Sequence, residues 1–190
     1  MKMLKKMAAL LLVGVMALAL LTACGDDSAP SFAQKAEDAT FASVKAATGI
    51  QVNDAELKKL AESKIDLIDT EKGTFNFQKS YAAEDAKKFQ EDVRSTGKGS
   101  MTMALPLMND GNMQNDGTYE VMEITADNIG SLNQGTDTMH DLLEKMASAN
   151  GMSIKITKIG VAAKTVNGKT YAAIAMTYEV TVDTSAIPQQ

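Results

Sequence analysis

Near the C-terminus, Asn167-Gly168 stands between two long runs in which apolar residues recur at every second position. No other feature of the chain restricts its fold so tightly. A two-residue turn of type I′ needs positive φ at both positions, and Asn-Gly is the pair that adopts it most readily. Val166 then faces Lys169, and paired residue numbers sum to 335. That register sets Ala163 opposite Ala172, Val161 opposite Ile174 and Ile159 opposite Met176, all on one face. Farther from the turn, the second strand keeps its apolar residues at even positions through Tyr178, Val180 and Val182, but the first switches from odd to even at Ile156, Ile154 and Met152. A plain ladder would send one of these sets into water, because neighbouring positions of a strand face opposite sides. One extra residue at Thr157-Lys158 removes the mismatch, since a bulge opposes two residues to one. Beyond the bulge the sum becomes 334, pairing Ile156 with Tyr178, Ile154 with Val180 and Met152 with Val182. The expectation is a bulged hairpin with one buried face along its whole length. A helix over residues 138–150 is its expected cover, through Leu142, Leu143 and Met146.

The rest of the chain supplies helices and shorter strands. Residues 32–48 are Ala-rich and stop at Gly49, which predicts a helix. Asn53 with Glu56 fits a capping box ahead of Leu57, Leu60, Ala61, Ile65 and Ile68 at helical spacing. Phe75 and Phe77 alternate as in a short strand, and Ser80 is a candidate N-cap for a helix with Ala82, Ala86, Phe89 and Val93 on one side, ending at Gly97. Met101, Met103, Leu105 and Leu107 alternate with Thr102, Ala104 and Pro106, so a strand is expected there, with Pro106 at its end or on an edge. Residues 109–117 hold two Asn-Asp-Gly triplets and read as a loop, and residues 119–126 as another strand. From residue 73 the order is strand, helix, strand, strand, helix, strand, plus one strand more. The expected class is therefore α+β: an antiparallel sheet with helices packed on one face, in a ferredoxin-like split βαβ arrangement with an added C-terminal strand, preceded by two helices.

The first residues read as targeting. Lys2, Lys5 and Lys6 precede an apolar run over residues 8–21, which at fourteen residues is short for a spanning helix of about 20. The run ends in Leu21-Thr22-Ala23-Cys24-Gly25. This segment resembles the lipobox of bacterial lipoproteins, in which a signal peptidase cuts ahead of a cysteine that carries a diacylglyceryl group. The resemblance implies a signal peptide over residues 1–23, lipidation at Cys24, and a membrane anchor on the extracytoplasmic face. It covers residues 1–25 only. Cys24 is the sole cysteine, so this chain has no intramolecular disulfide. Residues 24–31 read as a polar tether, of which residues 25–31 span about 25 Å at full extension, at roughly 3.5 Å per residue. A single domain is expected over residues 32–187. Cleavage would leave 167 residues, enough for a proper core, and would remove three lysines and no acid, moving the formal charge from −5 to −8. So acidic a chain argues against nucleic acid and against an electrostatic hold on anionic lipid.

Candidate sites are sparse. Met101, Met103, Met108 and Met113 lie within thirteen residues, and soft thioethers select Cu(I), although Met101 and Met103 on a strand also suit a core. Asn112, Gln114, Asp116, Gly117, Glu120 and Glu123 fall on an EF-hand-like spacing, but with low ligand charge and ahead of a strand, so turn chemistry explains them better. His140, the single histidine, has Glu144 one turn later and no nucleophile at a telling distance. No catalytic residue and no cofactor is nominated. The expected function is a non-enzymatic binding or interaction module of the cell envelope, held to the membrane by its lipid, with an envelope protein, a wall component or a small ligand as partner. A Cu(I)-handling lipoprotein is the alternative, and a hydrolase with dispersed carboxylates the third reading.

Overall fold

The computed structural model describes residues 30–110, 112–132, 145 and 152–182. Among them are three helices, α1 (Phe32–Thr48), α2 (Ala55–Ile65) and α3 (Ala83–Thr96). Five strands accompany them: β1 (Thr74–Asn76), β2 (Lys98–Pro106), β3 (Thr118–Glu120), β4 (Met152–Val166) and β5 (Lys169–Val182). The class is α+β. Two antiparallel ladders form, one of β1 with β3 and one in the order β2-β5-β4.

The hairpin β4–β5 has the expected register. Asn167 and Gly168 take φ of 51° and 78°, as a type I′ turn requires. Ala163 faces Ala172, Val161 faces Ile174 and Ile159 faces Met176. The register shifts between Ile156 and Lys158, and Ile156, Ile154 and Met152 then face Tyr178, Val180 and Val182. Thr157 is the extra residue, and its hydroxyl donates to the Thr177 carbonyl at 3.1 Å. Ile174, Met176, Tyr178 and Val180 are all buried, so one apolar face does run along β5. Apart from Lys145, the helix expected over residues 138–150, with the covering role of Leu142, Leu143 and Met146, lies outside the described residues.

β5 is the centre of its sheet, not an appendage. β2 lies along its other side, with Met101 opposite Tyr178, Met103 opposite Met176 and Leu105 opposite Ile174. The ferredoxin-like arrangement, in which β4 would run beside β1, is not found among the described residues. β1 and β3 do pair, through Phe75 opposite Tyr119, but β4 pairs along its length with β5. The two ladders meet just past Pro106, where Leu107 N–H donates to the Ala172 carbonyl and the Leu107 carbonyl accepts from Met122 N–H.

Helices cover both faces of the larger sheet, which corrects the expectation of one. On the face of Ala173 and Ala175, the floor is made of Ala104, Ala162 and Gly160, all buried. Residues this small let α2 approach closely: a Cβ at Gly160 would lie 2.3 Å from the backbone of Leu57 and Lys58. α1 packs over the same strands, through a stripe of Ala36, Thr40 and Val44 spaced one turn apart. On the opposite face, Gly99 admits α3, since a Cβ there would strike Phe89 and Val93. The Phe89 and Tyr178 rings meet edge-on at 6.5 Å.

Local signals set most helix ends. Ser31 caps α1 by accepting from Gln34 N–H at 3.1 Å, and Gly49 ends it in the left-handed region with φ 75°. α2 is capped by Asp54 and not by Asn53: the Asp54 carboxylate accepts from Glu56 N–H and Leu57 N–H, both at 3.0 Å. Asn53 is drawn off to the free edge of β4. Its amide donates to the Val161 carbonyl at 3.1 Å and accepts from Val161 N–H at 2.7 Å, so the side chain stands in for a strand. Nor does Ser80 cap α3. It closes a 3-10 turn over Phe77–Ser80, is buried, and its hydroxyl has no partner, while α3 starts after Ala82 without a side-chain cap. Phe77 belongs to that turn, so β1 is shorter than Phe75–Phe77 alternation implied. β3 likewise ends at Glu120, with isolated bridges at Val121 and Ile124 in place of a strand to residue 126.

Candidate functional site

The face of the β2-β5-β4 sheet that carries Ala175 changes character along its length. Near the Asn167-Gly168 turn it is a floor of small apolar residues under α1 and α2. Past Ala104 and Ala175 the described helices stop covering it and polar side chains take over in three successive rows. The first row holds Thr102, Thr177 and Lys158; the second Ser100, Glu179 and Lys155; the third Lys98, Thr181 and Ser153. Lys158, Ser100, Glu179, Lys155, Lys98, Thr181 and Ser153 are exposed, and Thr102 and Thr177 are half-buried at the boundary.

Pleat geometry aligns these nine side chains. Rows repeat about every 7 Å along a strand and strands lie about 4.8 Å apart, so the surface is a shallow grid. The boundary row is tied together: the Thr102 and Thr177 hydroxyls are 2.9 Å apart, and Thr157 reaches the Thr177 carbonyl from the bulge. Ser153 donates to the Thr181 carbonyl at 3.4 Å. Each row contains one lysine, and among the described residues none of Lys98, Lys155 and Lys158 enters an ion pair. Three ammonium groups and one carboxylate therefore occupy one face of a chain that is acidic in total. Elsewhere Lys58 pairs with the buried Glu37, Lys164 with Asp66 at 2.7 Å and Lys88 with Asp92 at 2.5 Å, while Lys35, Lys45, Lys59, Lys79 and Lys87, like the sheet lysines, enter no ion pair among the described residues.

The residues nominated from sequence are dispersed. Met101 and Met103 share the face of β2 that packs against Met176 and Tyr178, with Met103 buried. Met108 lies past the strand end, buried beside Val121, and Met113 is 59% exposed in the loop. The four methionines do not form one cluster. In the acidic loop, Asp116 is spent on the turn: its carboxylate accepts from Thr118 N–H at 3.1 Å and the Thr118 hydroxyl at 2.6 Å, which holds it below the usual carboxylate range. Glu123 instead pairs with Lys169 at 3.9 Å, and Glu120 faces Thr74 in the ladder. Among the described residues, no three His, Cys, Asp or Glu side chains are grouped so as to hold a metal ion, and no helix is long and apolar enough to cross a membrane. Cys24, His140 and Glu144 lie outside the described residues.

Sequence reading missed the open polar grid. Its signal was present in the polar residues that alternate with the apolar face of each strand, but their union on one surface depends on β2 lying beside β5. In comparisons with protein-family models, characterised proteins and solved structures, nothing matches this chain.

Proposed function

We propose that the protein is a membrane-anchored lipoprotein of the cell envelope whose domain is a non-enzymatic binding module, with the open half of the β2-β5-β4 sheet as its contact surface. The observation that carries this reading is the sharp change on the Ala175 face from a helix-covered apolar floor to an exposed hydroxyl and ammonium grid. A sheet face needs no unpaired lysines to stay soluble, and here every row has one. The lipobox-like Leu21-Thr22-Ala23-Cys24 supports the anchor. The Ser31 cap of α1 is seven residues from Cys24, so a lipid on Cys24 would keep α1 within about 25 Å of the bilayer.

Two measurements test the two halves of the proposal. Cys24→Ala is expected to abolish fatty-acid labelling and normal processing; a variant that still labels and partitions with membranes would overturn the anchor. For the contact surface, a photo-crosslinking residue is placed at Ser100 or Thr181 in living cells, with exposed Glu62 on α2 as the comparison. Discrete adducts from the sheet positions and none from Glu62 are expected. Adducts from Glu62 with none from the sheet would refute this surface.

A further inference from the structure

We infer that the open sheet face binds a linear, phosphodiester-linked polyanion of the envelope, laid obliquely across the strands from β4 to β2. This rests on reading that face as the contact surface, and adds what occupies it. The lysines fall one per row, on β2 at Lys98 and on β4 at Lys155 and Lys158. Successive rows are about 7 Å apart, so the three ammonium groups do not converge on one small anion. They suit a ligand that is itself extended and repeats its charge. Around them stand the exposed hydroxyls of Ser100 and Thr181, the donor type that joins lysine in holding phosphate oxygens.

Glu179 sharpens the assignment. It sits in the middle row between Ser100 and Lys155, and repels any densely charged anion placed over the centre of the grid. Widely spaced charges, one per repeating unit, can pass on either side. The same acidity separates a polymer from a lipid surface. A bilayer plane meets a whole side of a molecule whose total charge is negative, whereas a single chain meets only the open face with its three lysines, and charges beyond a Debye length of about 8 Å are screened from it.

The test uses the full chain in neutral phosphatidylcholine nanodiscs, titrated with a synthetic glycerol-phosphate oligomer and, separately, with monomeric glycerol phosphate. The oligomer is expected to bind, more weakly as salt rises, and the monomer to bind far less well. K98Q/K155Q/K158Q changes only exposed side chains and is expected to weaken oligomer binding by about tenfold or more. Glu179→Gln removes the repulsion and is expected to tighten it. Circular dichroism verifies that both variants are folded. Absence of oligomer binding at low salt, equal binding by the triple variant, or equal affinity for the monomer would overturn the inference. So would protection of Lys155 and Lys158 from acetylation on phosphatidylglycerol nanodiscs without oligomer binding, which would assign the face to lipid. None of these readouts depends on whether Cys24 is acylated, and crosslinking from Ser100 without oligomer binding would leave the contact surface standing and only the polyanion refuted.

Discussion

Gly160→Ala places one methyl group where the sheet meets α2. The added Cβ would lie 2.3 Å from the Leu57 carbonyl carbon and the Lys58 nitrogen, and 2.4 Å from Leu57 Cβ. Ordinary contact begins near 3.4 Å, so the helix must retreat by more than 1 Å. No rotamer change relieves this, because the opposing atoms are backbone. Retreat loosens Leu57, Ala61 and Ile65 from the alanine floor and strains the bond from Asp54 N–H to the Ile159 carbonyl, now 2.9 Å. Overpacking a core costs about 1–3 kcal/mol, and a backbone clash belongs at the upper end. A loss of about 3 kcal/mol corresponds to a melting temperature lower by roughly 6–12 °C in a domain of this size. Two other glycines calibrate the result. Gly99→Ala meets the movable side chains of Val93 and Phe89 at 2.6 and 2.9 Å and is expected to cost less, while Gly130→Ala meets nothing within 4 Å and should be neutral. Urea unfolding of the three variants gives the order directly. A Gly160→Ala protein within about 0.5 kcal/mol of the parent would refute close seating of α2 on the sheet.

Asn53→Ala removes both bonds to Val161 and leaves its buried N–H unpaired, which should cost about 1–3 kcal/mol and speed amide exchange at Val161; unchanged exchange would show that the edge needs no clamp. Replacing Met101 and Met103 together by Leu keeps apolar volume on the β2 face and should change stability by less than about 1.5 kcal/mol per site; Cu(I) binding by the parent that this pair abolishes would restore the metal reading. Burial raises the phenol pKa of Tyr119, Tyr171 and Tyr178, with Glu123 adding to the rise at Tyr171 and Tyr81 at Tyr178. Because the folded state holds these protons more tightly than the unfolded chain, their contribution to stability is complete below about pH 10 and is lost as pH climbs through the raised values. Tyrosinate absorbance should therefore rise late and together with unfolding, and complete ionisation of the three in a still-folded protein would contradict their burial.

What could be read before folding was local. The Asn167-Gly168 turn fixes a register within four residues, and the parity switch at Ile156 demands a bulge whatever surrounds it, so the hairpin was legible down to its pairs. Ser31 and Gly49 likewise act on neighbouring backbone groups, and α1 starts and stops where they stand. Where two adjacent residues could do one task, sequence did not decide. Asn53 and Asp54 both suit an N-cap, and the choice was made by Val161, 108 positions away, whose edge N–H and carbonyl are both met by an amide that donates and accepts, as a carboxylate cannot do. The same holds for the sheet order: the turn makes β4 neighbour β5, but which strand takes the other side of β5 rests on packing between elements far apart in the chain. Putting β2 there covers one half of the Ala175 face through Ala104 and leaves the other half open through Lys98, Ser100 and Thr102. Turn chemistry and side-chain parity thus determined the hairpin, because both act over a few residues; the open lysine-bearing face was decided only when distant strands came together, because a surface exists only once its strands are neighbours.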